Sequence, residues 1–226
     1  MILALPQARL VLPADHETLV EVCATGAALC YRKDIDDMSF PELADFLEKR
    51  IKIGHESVIE HASFSALLLT NRGVTHELVR HRIGVVFTQE STRFTNYEKK
   101  DGHITFIIPP QLRGEVSPGV CTTDDAENLR LEDDIDDEAA DWVYDMALAE
   151  HSYFRALGRG WAPEEARCYL NNATATRILV TANMREWRHI FNLRFHGTTG
   201  RPHPEIKEVI GMVHEDAATR YPTFFA

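Results

Sequence analysis

The chain of 226 residues holds four cysteines, Cys23, Cys30, Cys121 and Cys168, and no C-x-x-C pair. Thiols so dispersed build neither a zinc ribbon nor a disulfide-stapled secreted scaffold, so they are expected to be reduced. Long apolar runs are missing too. The longest, SALLLT and ITFII, fall far short of the roughly 20 residues that cross a bilayer. The first residues lack the basic, apolar and small-residue succession of a secretory signal, and the expected location is the cytoplasm. Positive charge is scarce: Lys and Arg number 24 against 35 Asp and Glu, and the resulting net charge of −11 argues against a broad face for nucleic acid. No G-x-G-x-x-G follows a strand, and neither G-x-x-x-x-G-K-[ST] nor G-x-S-x-G occurs. Rossmann, P-loop and α/β-hydrolase readings lose their support.

What is present is a globular chain. An apolar fraction of 44% and a charged fraction of 26% exclude disorder throughout, and the length supports one domain over residues 1–226 with one sizeable core. RLVL near the start reads as a strand and residues 16–30 as a helix. Ser39 and Glu42 form a capping box ahead of Leu43, Phe46 and Leu47, which predicts a helix over 40–53. HESVIEH (55–61) reads as a loop, 63–70 as a strand closed by an Asn71-Arg72-Gly73 turn, and 75–80 as a short helix. Val85, Val86, Phe87 and Thr88 favour a strand, as does ITFII before Pro109. Residues 111–132 read as loop. A long helix is expected from about 133 to 157 with Gly158 as its stop, then a helix opened by Pro163 and the strand TATRILVTA. Asn183 and Glu186 read as a second capping box for a helix reaching about 194, and 204–219 as the last helix.

Within this acidic chain, LVRHRIGVVFTQESTRFTNY (78–97) gathers Arg80, His81, Arg82 and Arg93 around an apolar stretch and the hydroxyls of Ser91 and Thr92. On a helix the first three cations would spread over more than half the circumference; on a strand His81 would face away from the two arginines. They meet one anion only where a helix gives way to a strand, and the flanking residues put such a junction here. Along the strand Gln89, Ser91 and Arg93 would alternate on one face, a carboxamide, a hydroxyl and a guanidinium suited to a phosphate and a polar heterocycle. On charge pattern alone, Arg80 pairing with Glu77 one turn earlier and a solvated surface for the rest is the stronger reading. Further cations on other elements shift the balance: Arg167 after Pro163, Arg185 and His189 on one face of the helix capped by Asn183, and Arg194 at its end. On that helix Met184, Trp187, Ile190 and Phe191 form the opposite, apolar stripe, so the cations fill no core. Asn183 as a mere cap and His189 as a mere surface residue remain open. His55 and His61 of HESVIEH lie six apart, not the four of a zincin helix, and no metal is expected.

Arg80-His81-Arg82 followed by Ser91-Thr92-Arg93 resembles the signature of the flavin-dependent thymidylate synthases. GHESVIEH ahead, EEARCYLNNATATRILVTANMREWRHIFNLR behind and HPEIKEV afterwards stand in that family's order, so the resemblance spans about residues 18–220 apart from 111–132. It implies an α/β (α+β) fold with a central, largely antiparallel sheet flanked by helices, in a homotetramer with active sites between subunits. It implies FAD, NADPH as reductant and methylenetetrahydrofolate as carbon donor in the methylation of dUMP to dTMP. Carried over by position, His55, Ser57, Arg80, His81, Arg82, Asn183, Arg185 and His189 would meet the flavin. Glu77, Arg80, Ser91, Thr92, Arg93, Arg167 and Arg194 would meet the nucleotide, with Gln89 near both. Arg194 would be the catalytic residue, a guanidinium near uracil N3 and O2. Cys30 and Cys168 would be structural. The chain departs from the common pattern at Glu77, Gln89 and His189, and eight residues rather than seven separate Arg82 from Ser91, which predicts an irregularity between Gly84 and Thr88. Two other readings stay open beside this one: a related flavoenzyme acting on another pyrimidine nucleotide, and a non-catalytic binder of nucleotides or RNA.

Overall fold

The computed structural model describes residues 1–11, 15–129 and 137–225. In chain order the elements are β1 (Ile2–Ala4), β2 (Gln7–Val11), α1 (His16–Tyr31), α2 (Phe40–Lys52), β3 (Ser63–Asn71), α3 (Arg72–Leu78), β4 (Val85–Gln89), α4 (Tyr97–Lys100), β5 (Thr105–Ile107), β6 (Gly119–Val120), α5 (Thr123–Leu129), α6 (Asp137–Gly158), α7 (Pro163–Ala166), β7 (Ala175–Asn183), α8 (Met184–Phe191), α9 (Pro204–Arg220) and α10 (Pro222–Phe225). This is a mixed α/β chain. Two compact units divide it: Met1–Pro6, Leu69–His76 and Gln89–Ile178 form one, and Gln7–Leu68, Glu77–Thr88 and Leu179–Ala226 form the other.

In the first unit β1 is the middle strand of the order β5-β1-β6, parallel to β5 and antiparallel to β6. The parallel pair is a local departure from the expected antiparallel arrangement. Alternation along β1 and β5 aims Leu3 and Phe106 at a core that α6 completes with Val143, Met146, Ala147, Tyr153 and Ala156. In the second unit the strand order is β2-β3-β7-β4, and Ser65 and Thr181 meet hydroxyl to hydroxyl at 2.7 Å between β3 and β7. Helices supply the rest of that core. On α2, Phe46, Leu47 and Ile51 are buried, and Glu42 accepts from the Ser39 amide at 2.8 Å and its hydroxyl at 2.6 Å, as the capping box predicts. On α9, Ile206, Val209, Ile210, Val213 and Ala217 repeat at helical spacing and are buried. All four cysteines are free thiols, with Cys23 and Cys121 buried.

Several expectations are corrected. HESVIEH is no open loop: Glu56–His61 winds into a 3-10 helix anchored by fully buried Ile59, a common short connector. The expected Asn71–Gly73 turn is the start of α3, because the Asn71 Oδ1 accepts the Val74 amide at 2.9 Å and caps the helix earlier than predicted. Residues 111–132 are structured as far as 129: β6 pairs with β1, and α5 is opened by Thr122, whose hydroxyl accepts the Asp125 amide at 3.1 Å. The first residues of the long helix predicted from 133 lie outside the described residues, and Gly158 belongs to α6, with Gly160 (φ 90°) beyond it taking the left-handed conformation expected of the stop.

Candidate active site

The junction predicted around Arg80 exists. Helix α3 ends at Leu78, the His81 amide bonds back to the Leu78 carbonyl at 3.0 Å, and a short irregular segment leads into β4 at Val85. Gly84 sits between them with φ 70°, in the left-handed region that glycine occupies without strain. Val85–Gln89 runs as one uninterrupted strand, so the irregularity expected between Gly84 and Thr88 does not lie within it; the departure from extended backbone is at Gly84, before the strand begins. The Gly84 carbonyl accepts the Asn183 amide at 3.0 Å, tying the motif to the start of α8. A Cβ at Gly84 would stand 2.4 Å from Asn183 Nδ2. Gly84→Ala is expected to destabilise the fold by about 1–3 kcal/mol and to loosen the Asn183 side chain, read by chemical denaturation and by ligand titration of the same variant. An unchanged denaturation midpoint would contradict this.

Beyond the strand the structure departs from the sequence reading. β4 ends at Gln89, and Ser91 and Arg93 do not alternate along it. The Ser91 carbonyl accepts the Phe94 amide at 3.3 Å and the Thr95 amide at 2.9 Å, so the chain turns where period-two alternation predicted a strand face. Gln89 gives its amide N–H groups to the hydroxyls of Thr75 (3.1 Å) and Thr176 (3.2 Å), which leaves its carbonyl oxygen as the free acceptor. Arg93 is exposed and lies 3.5 Å from Glu164, and Thr92 is buried. Arg167 is exposed at the end of α7. Gln89, Ser91, Thr92, Arg93 and Arg167 all belong to the first unit.

The remaining candidates belong to the second unit: His55, Ser57, Glu77, Arg80, His81, Arg82, Asn183, Arg185, His189 and Arg194. Helix α8 organises most of them. Asn183 caps it through Oδ1, accepting the Glu186 amide at 2.8 Å, while Met184, Trp187, Ile190 and Phe191 are buried. After Phe191 the helix widens into a π-helical turn, Asn192–His196, that presents Arg194. A cleft of about 510 Å³ is lined by Arg80, His81, Arg82, Ile83, Glu186, His189, Leu193 and Arg194. A second, of about 380 Å³, shares Ile83, Glu186 and His189 with it and adds Asn183 and Arg185. Both lie within the ~300–1,000 Å³ of small-molecule sites. His55, Ser57 and Arg185 line a third cleft of about 280 Å³ with Tyr31 and Arg50. Tyr31 is hydrogen-bonded to His55 Nδ1 at 2.9 Å, and the Arg50 guanidinium stacks over the Tyr31 ring at 4.8 Å.

Glu77 does not pair with Arg80. Its carboxylate accepts from Arg194 Nη1 at 3.0 Å and its carbonyl from Arg194 Nη2 at 3.3 Å. Arg194 Nε donates to His81 Nε2 at 3.3 Å, and His81 Nδ1 lies 3.1 Å from Glu186 Oε1. Burial, with the charges of Arg194 and His189 beyond it, pushes His81 down to about 4, and burial pushes Glu186 up to about 7. The expected Asn183–Glu186 capping box is thus half formed: Asn183 caps, but the Glu186 carboxylate turns to His81 because the Asn183 amide is taken by Gly84. Glu186 is the site residue that sequence reasoning missed. Its spacing from Asn183 matched a cap so well that nothing marked it as part of the cleft.

The model of one protein family, described as thymidylate synthase complementing protein, matches residues 12–223. The chain belongs to this family. A flavin-dependent thymidylate synthase of Pyrococcus furiosus is 30% identical over 207 residues, which are 89% of this chain and 75% of that protein. The enzyme of the same name from Geobacter sulfurreducens is 35% identical over 179 residues, 76% of this chain and 66% of that one. Among solved structures, a UMP/dUMP methylase PolB from Streptomyces cacaoi bound with 5-Br dUMP superposes with a TM-score of 0.74 at 22% identity, covering 100% of this chain and 95% of that one, a likeness of fold.

Family membership agrees with the chemistry of the second unit. Arg80, Arg82 and Arg185 supply charged donors, and Asn183 and His189 add a carboxamide and an imidazole, a set fitted to a diphosphate and a ring rich in carbonyl groups. His81, Glu186 and His189 bring ring nitrogens and a carboxylate oxygen within 4.8 Å of one another. The Arg194 guanidinium donating into that cluster makes it a hydrogen-bonded array and an unfavourable place for a cation.

Proposed function

We propose that the chain is a cytoplasmic enzyme that methylates dUMP reductively to dTMP, with FAD as cofactor, methylenetetrahydrofolate as carbon donor and NADPH as reductant. The observation that carries this reading is the convergence of Arg80, His81, Arg82, His189 and Arg194, motif positions of the family, on one cleft. His55, Ser57, Arg80, His81, Arg82, Asn183, Arg185 and His189 would hold the flavin, with Gln89 contributing to cofactor and substrate. When bound, the flavin supplies the hydride that completes the methyl group. Glu77, Arg80, Ser91, Thr92, Arg93, Arg167 and Arg194 would hold dUMP. Arg194 would stabilise the negative charge that develops on the pyrimidine as its C5 becomes nucleophilic.

The family match crosses repeatedly between the two units, which supports one functional domain over 1–226. A homotetramer with active sites between subunits is proposed as well. Its support is exposed apolar side chains next to Arg80–Arg82 in the second unit, Ile83 at 83% and Val86 at 66%, surface of the kind a partner subunit covers.

Purified protein is expected to carry, or to take up on addition, a yellow chromophore with flavin absorbance. A colourless protein that also fails to bind added FAD would refute the reading. Arg167→Ala is expected to weaken dUMP binding by about ten- to a hundredfold with flavin content unchanged, since one charge-assisted bond to phosphate is lost. Calorimetric titration with dUMP checks it, and unchanged affinity would remove Arg167 from the site. Running the product assay with dCMP in place of dUMP identifies the pyrimidine.

A further inference from the structure

We infer that Glu186 is a positioning residue: it holds His81 in the tautomer with the proton on Nδ1, and His81 in turn orients the Arg194 guanidinium through its unprotonated Nε2. The geometry leaves little choice. Arginine has N–H donors and no acceptor, so the His81 nitrogen that meets Arg194 Nε at 3.3 Å must present a lone pair. A neutral ring then carries its proton on Nδ1, and Nδ1 faces Glu186 Oε1 at 3.1 Å. Burial keeps the ring neutral, since it pushes His81 down to about 4. The far side of Arg194 is held by the Glu77 carboxylate and carbonyl, so three of its five N–H bonds are fixed between Glu77 and His81. Glu186 is free for this task because Asn183 caps α8 without it.

This inference rests on the reading that Arg194 acts on the pyrimidine ring, and it adds a pH dependence. Ionised Glu186 only accepts and so enforces the productive tautomer. Protonated Glu186 carries an O–H that can donate to Nδ1, so it no longer holds the ring proton there, and the tautomer with the proton on Nε2, against the Arg194 N–H, becomes accessible. With burial raising Glu186 to about 7, turnover should fall as pH drops through that value. The charged and titratable groups around Glu186 are His81, Arg80 and Arg82 from the segment after α3, Arg194 from the π-helical turn and His189 from α8 itself. Glu56 and Glu60 face it from the 3-10 helix, engaged by Arg188 and Arg185.

The test uses flavin-loaded protein and begins with the wild type. If it forms no dTMP, the functional reading fails before Glu186 is in question. Given an active wild type, Glu186→Ala is expected to lower kcat by about ten- to a hundredfold with flavin retained, the loss of one hydrogen bond to a buried group. Glu186→Gln offers an N–H as well as an acceptor, as the protonated acid does, so its kcat should lie below the wild-type plateau above pH 8 and show no acid limb near pH 7. Histidine ring ¹⁵N spectra give a readout independent of turnover: His81 should show protonated Nδ1 and bare Nε2 in the wild type and lose that single tautomer in Glu186→Ala. Wild-type kcat in Glu186→Ala, the opposite tautomer in the spectra, or an unchanged acid limb in Glu186→Gln would each overturn the inference. Should Glu186→Ala fail to fold, the Glu186→Gln pH profile and the wild-type spectrum decide it.

Discussion

Arg194→Ala is expected to lower kcat for dTMP formation by about 10²–10³-fold while the protein keeps its flavin, the size of loss that follows removal of one preorganised donor from a site of developing charge. Arg194 is suited to that work because its orientation is set before any ligand arrives. Glu77 holds Nη1 and Nη2, His81 holds Nε, and the π-helical turn carries the residue away from the apolar stripe of α8. The flavin should stay because Arg80, Arg82, Asn183, Arg185 and His189 are untouched. Removing Arg194 also leaves the Glu77 carboxylate without its partner, so the variant should lose some stability. Arg194→Lys separates the two effects: it restores charge near Glu77 without the planar fork, and should recover stability better than turnover. Single-turnover measurement with saturating dUMP reads the chemical step directly. A kcat near wild type in Arg194→Ala would remove it from the chemistry.

The largest stability effect is expected at Trp187, where alanine should cost about 3–5 kcal/mol in chemical denaturation. The indole is fully buried, stacks on Phe64 with ring centroids 4.6 Å apart and an interplanar angle of 6°, and lies 5.6 Å from Phe191. Its Nε1–H donates to the Phe64 carbonyl at 3.1 Å. Truncation opens a cavity and leaves that carbonyl without its donor, two penalties in one substitution. Net stability of a domain is only about 5–15 kcal/mol, so the variant should be close to its limit. Function would follow, because Trp187 anchors the helix that carries Asn183, Glu186 and His189. Trp187→Phe keeps the stacking area and should recover much of the loss. A Trp187→Ala change under about 1 kcal/mol would show that the Phe64 stack does not fix α8.

The helices were legible because their burial follows period 3.6 without competition: the apolar stripe expected on α8 is buried, as are Phe46 and Leu47 of the stripe expected on α2, with Leu43 half-buried beside them. The helix-to-strand junction was legible from the incompatibility of three adjacent cations with either regular element. What the sequence concealed has local causes. β1 is three residues long, too short to show alternation, and needs β5 and β6 to exist. α5 hides in an acidic run where Thr122 and Asp125 form a cap among many similar carboxylates. Ser91 and Arg93 were placed on a strand because alternation continued past Gln89, whereas hydrogen bonds to the Ser91 carbonyl turn the chain there.

At the candidate site, residue types were legible and pairings were not. Arg80, as an i,i+3 neighbour of Glu77, was the natural partner on a helix surface, yet α3 has ended by Leu78 and Arg194 takes Glu77 from 117 positions away. The same holds for Glu186 and His81, 105 positions apart. Such contacts are long-range consequences of the fold and leave no periodic trace.

The most direct measurement of the central claim is transfer of an isotopically labelled carbon from methylenetetrahydrofolate to dUMP by the purified, FAD-loaded protein in the presence of NADPH. Labelled dTMP is expected, dependent on FAD and formed with stoichiometric consumption of NADPH. A flavin-loaded protein that binds dUMP and releases no labelled dTMP would contradict it.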